Sequence, residues 1–568
     1  MNLRLGIDVG GTNTDAVILN PSGELLAKAK RPTTSDVTNG IRNVLRAVLE
    51  SEAGKRIERK AIVQAMLGTT HCTNAIVERK GLSRVAVLRI AAPASLAIPP
   101  LSDWPEDFVE KLNAQVEIVE GGHEYNGQEI VPLNEGAIQH FAHRVRGVRA
   151  VAVTGIFAPV SDAHERRAER ILREILGDEV SITLSSQIGS VGLLERENAT
   201  ILNAALTDVA IQATSAFNEA LSAECIEADK YFSQNDGTLM RFEYALRHPI
   251  LTVASGPTNS LRGAAYLTGR TDAVVIDVGG TTSDIGVLAN GFPRESAVAV
   301  EIGGVRTNFR MPDLISKGLG GGTKVIIGGN TNHSWYPGTT VQTGATGHAH
   351  KSETVAEYAR QNGYEGQAPV QVGPESVGYR LAQEAQVFGG GTLTMTDIAT
   401  RTGAVQIGDP ELVSEVPLGA VRDSLIIARE MLADGLDRMK TSAAAVPLIA
   451  VGGGSFLVPN DLEGASEVLR PENSDVANAI GAAIAQVSGE VDQIFMLGEA
   501  GRSAALAGAK AKAIELAIKA GADKDQVQVI EVEEVPLGYI PGNASRIRVK
   551  AAGPLVRLAT IGTKEDRG

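Results

Sequence analysis

The chain has 568 residues, 43% of them hydrophobic, and a formal net charge of -14. That length exceeds what one hydrophobic core organises and predicts two to four domains, while the acidity excludes a general nucleic-acid surface, which needs an excess of Lys and Arg to displace phosphate counterions. Cys72 and Cys225, the only cysteines, are too few for a disulfide framework and wrongly spaced for a cysteine zinc site, which fits a reduced cytoplasm. No apolar run approaches the length of a membrane span, and Met1 leads within two residues into the first predicted strand, so no signal peptide is expected.

The first predicted element also occurs a second time. Residues 5–19 (LGIDVGGTNTDAVIL) and 275–288 (VIDVGGTTSDIGVL), aligned from Asp8 and Asp277, agree at seven of twelve positions. Each reads as a strand, a Gly-Gly-Thr turn and a returning strand. Two adjacent glycines let backbone N–H groups approach an anion, and Thr12 or Thr281 adds a hydroxyl donor, so each hairpin is a candidate phosphate loop. A carboxylate is a poor phosphate ligand, so Asp8 and Asp277 are candidate holders of Mg²⁺ or its waters. Two such loops facing one another would grip one nucleotide. The plain alternative, glycines that merely turn a hairpin, loses weight because Asp, both glycines and the hydroxyl recur together.

After a third strand near residues 24–30, Ser35 or Asp36 is expected to cap a helix carrying Val37, Ile41, Val44, Leu45 and Val48. A strand at 62–67 runs into Gly68-Thr69-Thr70-His71-Cys72-Thr73-Asn74 and a helix to Arg79. Polar residues between a strand end and a helix N-terminus suit a ligand, so Thr70, His71 and Asn74 are candidate substrate contacts; a capping Thr and a satisfied His are the plainer reading. Residues 91–132, rich in proline, predict an insertion, and strands resume at 148–156 before a charged helix at 162–176. Residues 195–221 read as one long helix joining two halves. The stretch Ser255-Gly256-Pro257-Thr258-Asn259-Ser260 opens a helix ending near Leu267, with amides that could meet an anion.

Beyond the second hairpin a third strand is expected at 292–300, and Gly318 to Thr323 forms another candidate loop. Residues 331–369 read as a polar surface loop whose His333, His348 and His350 lack regular metal-ligand spacing. A helix at 418–439 and a strand at 446–451 lead to Gly452, Gly453 and Gly454, where backbone could lie flat against an adenine and its ribose. A small-residue helix follows at 476–483, then a helix at 502–520 and strands near 527–532 and 544–549, expected as a small α/β appendage.

The segments GIDVGGTNTDAVI, LGTTHCTNAIVERKG, LLERENATILNAAL, QNDGTLM, SGPTNSLRGAA, DVGGTTSDIGVL and IGGVRTNFRMPD resemble the hydantoinase A and 5-oxoprolinase family, within the superfamily of acetate and sugar kinases, heat-shock ATPases and actin. The resemblance implies an α/β, two-lobed, actin-like (ribonuclease H-like) ATPase fold with a duplicated phosphate-binding hairpin. It places a first lobe at 1–185, a second at 186–495 and the appendage at 496–568. It implies ATP and Mg²⁺, with Asp8 and Asp277 serving the metal, Gly10, Gly11, Thr12 and Asn13 and Gly279, Gly280, Thr281 and Thr282 the phosphates, and Gly452 to Gly454 the adenosine. Asp8, Asp277, Thr12, Thr281 and His71 are then the expected catalytic groups.

The activity the resemblance implies is ATP-driven opening of a cyclic amide such as a hydantoin, a lactam or 5-oxoproline, with a second hydantoinase-type subunit or a homo-oligomer. A small-molecule kinase, a ketone-carboxylase-type subunit and a nucleotide-gated assembly protein remain alternatives. The chain is shorter than large hydantoinase subunits, and its tail VEEVPLGYIPGNASRIRVKAAGPL resembles a shorter subgroup.

Overall fold

The computed structural model describes residues 2–34, 37–189, 191–296, 300–309, 311–328, 370–497, 501–538 and 544–556. The expected loop at 331–369 with its three histidines, and the Ser35 or Asp36 cap, lie outside these residues. Leu3–Val9 and Asn13–Leu19 form the first hairpin, with Asp8 directly opposite Asp15. Nearly every residue of both strands is buried because helices cover both faces: Val37–Glu50 on one, through Ile41, Val44 and Leu45, and Ala477–Ile484 on the other. Leu25–Pro32 pairs outside Asn13–Leu19, and Ile62–Thr69 runs parallel to Leu3–Val9 with Gly68 beside Asp8 and Thr69 beside Val9.

Among the described residues this sheet has nine strands, in the order Gln528–Pro536, Ala544–Gly553, Gln486–Met496, Thr238–Arg241, Asp229–Ser233, Ile62–Thr69, Leu3–Val9, Asn13–Leu19, Leu25–Pro32. The strands expected to form a separate appendage therefore continue the first sheet. Gln486–Met496 leaves the small-residue helix directly beside Thr238–Arg241 and adds to it in parallel, and the other two strands follow as antiparallel neighbours, burying Val487, Ile547 and Val549 against the helix Gly501–Ala520.

The second hairpin, Ala273–Val278 with Ser283–Ala289, repeats the first one's register, with Asp277 opposite Asp284. Val446–Val451 lies parallel on its other side. The third strand expected at 292–300 is not continuous. Among its described residues only Phe292–Pro293 pairs as a strand with Ser283–Ala289, the inner half of that edge is taken by Leu314–Lys317, and Val300–Ile302 belongs to a separate ribbon with Val305–Thr307. Pro293 has no N–H to continue a ladder; Arg294 N still donates to Val287 O, but Arg294 O accepts from Asp313 N and Ser296 N donates to Met311 O, so the chain passes onto residues 311–313.

The insertion proves wider than residues 91–132. Gln115–Glu120, Val85–Ala92, Ala150–Gly155 and Ser181–Leu184 form a parallel four-stranded sheet of their own, flanked by Glu135–Arg144 and Ala163–Leu176. The long helix expected over 195–221 is two helices, Leu193–Ala205 and Thr207–Ala223. They part at Leu206, where ψ opens to 0°; Thr207 Oγ1 returns to Ala204 O, and Ser83 Oγ takes the amide of Asp208. No helix among the described residues is long and apolar enough to cross a membrane.

Two helices join the hairpin sheets. Ser255–Thr268 crosses Ala477–Ile484 at backbone contact, since a Cβ on Gly263 would stand 1.9 Å from Ala477 O and one on Gly481 would stand 1.8 Å from Asn259 O. Ala477–Ile484 in turn meets the first strand, where a Cβ on Gly6 would stand 2.4 Å from Ala479 O. Helix propensity favours Ala over Gly by about 1 kcal/mol, but overpacking against backbone costs about 1–3 kcal/mol or more. Gly481→Ala is expected to lower the urea midpoint of the full chain, and an unchanged midpoint would contradict this crossing.

Candidate active site

Both hairpin turns close in the same way. Gly10 N donates to Asn13 O at 3.0 Å and Gly279 N to Thr282 O at 2.9 Å, so the sequence repeat is a repeat of backbone geometry. The turns face each other: a Cβ on Gly280 would lie 2.5 Å from Thr12 Oγ1 and Cγ2, which only glycine permits. Thr12 Oγ1 is buried and makes no hydrogen bond. A buried hydroxyl lacking a partner is costly, and an incoming phosphate oxygen would accept from it.

The carboxylates at the strand ends are held by consecutive residues of one helix. Asn259 Nδ2 donates to Asp8 Oδ1 at 2.9 Å, and Ser260 Oγ donates to Asp277 Oδ2 at 2.5 Å. Asn478 Nδ2 donates to both Asp8 Oδ2 at 3.0 Å and Asp15 Oδ2 at 2.9 Å, and Lys30 Nζ lies 2.7 Å from Asp15 Oδ1. Like charges directly opposite in a hairpin repel, and these donors offset that repulsion. Burial nonetheless pushes the Asp8 carboxyl up to about 6, opposed by the bonds from Asn259 and Asn478 and reinforced by Asp15 and Asp277. Asp15 and Asp277 are raised too, chiefly by burial.

An ionised carboxylate offers about four lone-pair sites, and the side-chain bonds above use two on Asp8 and one on Asp277. Both can therefore still accept from metal-bound water, which fits Mg²⁺ held through its hydration shell. Gly68 must be small, since a Cβ there would stand 2.2 Å from Asp8 Oδ1.

The structure brings Gly452, Gly453 and Gly454 onto the second hairpin. Gly452, at φ +87°, leaves Asp277 Oδ1 2.2 Å from where its Cβ would be, and Gly454 N donates to Val278 O at 2.8 Å. The loop Gly318 to Thr323 supports that hairpin: Gly321 N and Gly322 N donate to Gly279 O and Gly280 O, and Gly320 N to Thr323 Oγ1, so its amides are occupied. The start of Ser255–Thr268 approaches Asp8, with Thr70 beside Gly256. Thr70 Oγ1 donates to Val9 O, His71 is hydrogen-bonded to Thr69 and lowered in pKa by burial, and Asn74 is exposed one turn on.

Asp15, Asp284, Asn259, Ser260, Asn478 and Lys30 were not anticipated as site residues. A signal existed for two: the second Asp of each repeat stands seven residues after the first, and the hairpin register pairs it with the first. Lys30 lies opposite Asp15 on the neighbouring strand, Asn259 and Ser260 belong to the helix opening whose backbone amides alone were expected to matter, and Asn478 reaches Asp8 from 470 positions away. A separate grouping, His123, Glu129 and His164, lies at the carboxyl edge of the inserted sheet. There Gly122 N–H donates to His164 Nδ1, so neutral His164 carries its proton on Nε2 toward Glu129 and has no lone pair there for a metal.

Models of the hydantoinase/oxoprolinase N-terminal region and of hydantoinase/oxoprolinase match residues 4–176 and 196–340. The chain belongs to the hydantoinase/oxoprolinase family. This hydantoinase/oxoprolinase protein is similar to caprolactamase subunit alpha of Pseudomonas jessenii, 26% identical over 362 residues that cover 56% of this chain and 48% of that one. It is also similar to the acetophenone carboxylase gamma subunit of Aromatoleum aromaticum, 26% identical over 356 residues, 56% of this chain and 47% of that one. The chain thus spans about half the length of the curated relatives it matches. The crystal structure of the ATP-dependent caprolactamase from Pseudomonas jessenii superposes on 98% of this chain and 89% of its own at a TM-score of 0.69 and 18% identity, a likeness of fold. The expected α/β, actin-like ATPase fold is the fold found.

Asp284 supplies a test of the carboxylate electrostatics. Its carboxyl, ordinarily near 3.8, is pushed up to about 7 by burial, with a hydrogen bond from Ser316 opposing and Asp277 adding to the rise. Between those values the folded state holds a proton that the unfolded chain releases. The contribution to stability is therefore complete below about pH 4 and lost as pH rises through about 7. Asp284→Asn keeps the shape without the titration, and should gain on the parent by on the order of 1–3 kcal/mol between about pH 4.5 and pH 8, read from urea midpoints in nucleotide-free buffer. A difference that does not vary with pH would refute the assignment.

Proposed function

We propose that this protein uses ATP to open a cyclic amide of the hydantoin, lactam or 5-oxoproline type, working with a second subunit. The observation that carries the reading is the pair of facing hairpins, each with a carboxylate at the strand end and a glycine turn, with the unpartnered Thr12 hydroxyl between them. Resonance makes an amide carbon a poor electrophile. In the proposed reaction the amide oxygen attacks the terminal phosphorus of ATP, an O–P bond forms and the bond to the ADP oxygen breaks. Water then adds to the activated carbon, the ring nitrogen leaves with a proton, and a second water hydrolyses the acyl phosphate to carboxylate and phosphate.

In phosphoryl transfer the protein mainly positions groups and neutralises charge. Mg²⁺, held through Asp8 and Asp277, would neutralise charge on the phosphates. The backbone amides of Gly10 to Asn13 and Gly279 to Thr282, with the hydroxyls of Thr12 and Thr281, would bind phosphate oxygens. Gly452 to Gly454 would bear on the adenosine, and Thr70, His71 and Asn74 on the amide. Likeness to the caprolactamase subunit supports the hydrolytic reading, and likeness to the acetophenone carboxylase subunit supports a second one, ATP-dependent activation of a ketone for carboxylation.

The deciding measurement is ADP and phosphate release by the purified chain with Mg²⁺ and a panel of hydantoins, lactams and 5-oxoproline, alone and with a candidate partner subunit. One cyclic amide is expected to stimulate release, and Asp277→Ala to lower it about a hundredfold or more. A stable phosphorylated product would indicate a kinase, stimulation only by a ketone with bicarbonate would indicate the carboxylase reading, and full turnover by Asp277→Ala would defeat the site assignment.

A further inference from the structure

His71 opens the helix His71–Glu78 at the carboxyl end of Ile62–Thr69, the strand whose Gly68 lies against Asp8. Thr69 Oγ1 is hydrogen-bonded to His71 Nδ1 and also accepts the His71 backbone N–H at 3.2 Å. Thr69 is only 2% exposed, so its hydroxyl has no bulk water to turn to. The arrangement of protons follows from counting. A hydroxyl has one proton and two lone pairs. Were Nδ1 protonated, it would donate to Oγ1 alongside the backbone N–H, and the buried O–H proton would have no acceptor. With Nδ1 unprotonated, the hydroxyl donates to it and every atom of the pair is satisfied. A neutral imidazole then carries its proton on Nε2. Burial lowers the pKa of His71 below its ordinary 6.5, which keeps the ring neutral near pH 7. Nε2 makes no hydrogen bond among the described residues, so its N–H is left for a ligand.

We propose that Thr69 is a positioning residue that fixes His71 as the Nε2–H tautomer, and that His71 thereby donates a hydrogen bond to the carbonyl oxygen of the cyclic amide. The identity of the acceptor rests on the proposed function, whereas the tautomer does not. A neutral donor at this place holds one lone pair of that oxygen and aims the other at the terminal phosphorus, without adding a cation that would pair with the carboxylates nearby. His71 is thus assigned to hold the substrate's oxygen, and abstraction of a proton from water is left to another group.

The test uses the full chain labelled with ¹⁵N at histidine. The His71 ring resonances are those lost in His71→Asn, and they are expected to show an unprotonated Nδ1 and a protonated Nε2. Thr69→Val should convert them to a tautomer mixture and lower kcat for amide-dependent phosphate release about tenfold or more, with KM for ATP changed less than about twofold. Thr69→Ser should restore both the spectrum and kcat. A protonated Nδ1 in the parent overturns the proposal, as does a Thr69→Val that leaves tautomer and kcat unaltered. Should Thr69→Val fail to fold, the parent spectrum and Thr69→Ser decide: a folded Thr69→Ser without the parent tautomer also overturns it. The expected tautomer in a protein that no cyclic amide stimulates would overturn the substrate reading and the acceptor with it, leaving the Thr69–His71 pairing in place.

Discussion

Two neighbouring side chains on one helix, Asn259 and Ser260, hold the carboxylates of two different sheets, Asp8 and Asp277. Carboxylates buried near one another resist ionisation and resist burial, so the hairpins can face each other only if donors reach both. Consecutive residues on a rigid helix supply those donors at a fixed separation. The glycine contacts on either side, Gly263 at Ala477 and Gly481 at Asn259, bring the helices close enough for Asn478 to reach Asp8 and Asp15 as well. Close packing and polar satisfaction are here a single constraint.

The duplicated hairpins have the same backbone and unequal surroundings. The first has an amide shared between Asp8 and Asp15 and a lysine on Asp15. The second has hydroxyls, from Ser260 on Asp277 and Ser316 on Asp284. Burial raises the carboxyls of both hairpins, while the donors that oppose the rise differ between the copies, because they belong to the neighbours and not to the motif.

The C-terminal strands hold a segment of the second half against the first sheet. Arg548, 2% exposed, pairs with Glu295, Glu490 and Glu531, and Lys550, 2% exposed, pairs with Asp236 and Glu295. Buried ions of this kind must stay paired, since removing one leaves another uncompensated. Glu295 follows Pro293, where the expected third strand of the second hairpin breaks off. The ion network thus occupies the segment that the interrupted strand releases.

The sequence by itself determined the two hairpins, their turns, the candidate phosphate residues, the helix openings at His71 and Ser255, and the small-residue helix, because each is a local pattern of period, glycine and polar residue. It also carried the family resemblance, and with it the actin-like fold. Strand neighbours were out of its reach: that 486–496 continues the first sheet, that 85–184 folds as its own parallel sheet, and that 314–317 takes the edge expected for 292–300. Those depend on which backbone edge is free once everything else has packed. The amides on Asp8, from Asn259 and Asn478, were likewise decided only by the tertiary structure, since hydrogen bonds across 251 and 470 positions leave no period in the chain, whereas Lys30 stands opposite Asp15 on the neighbouring strand and Ser260 lies 17 positions before Asp277. A hairpin is written within a dozen residues, but the environment that sets the charge of its aspartates is assembled from the whole molecule.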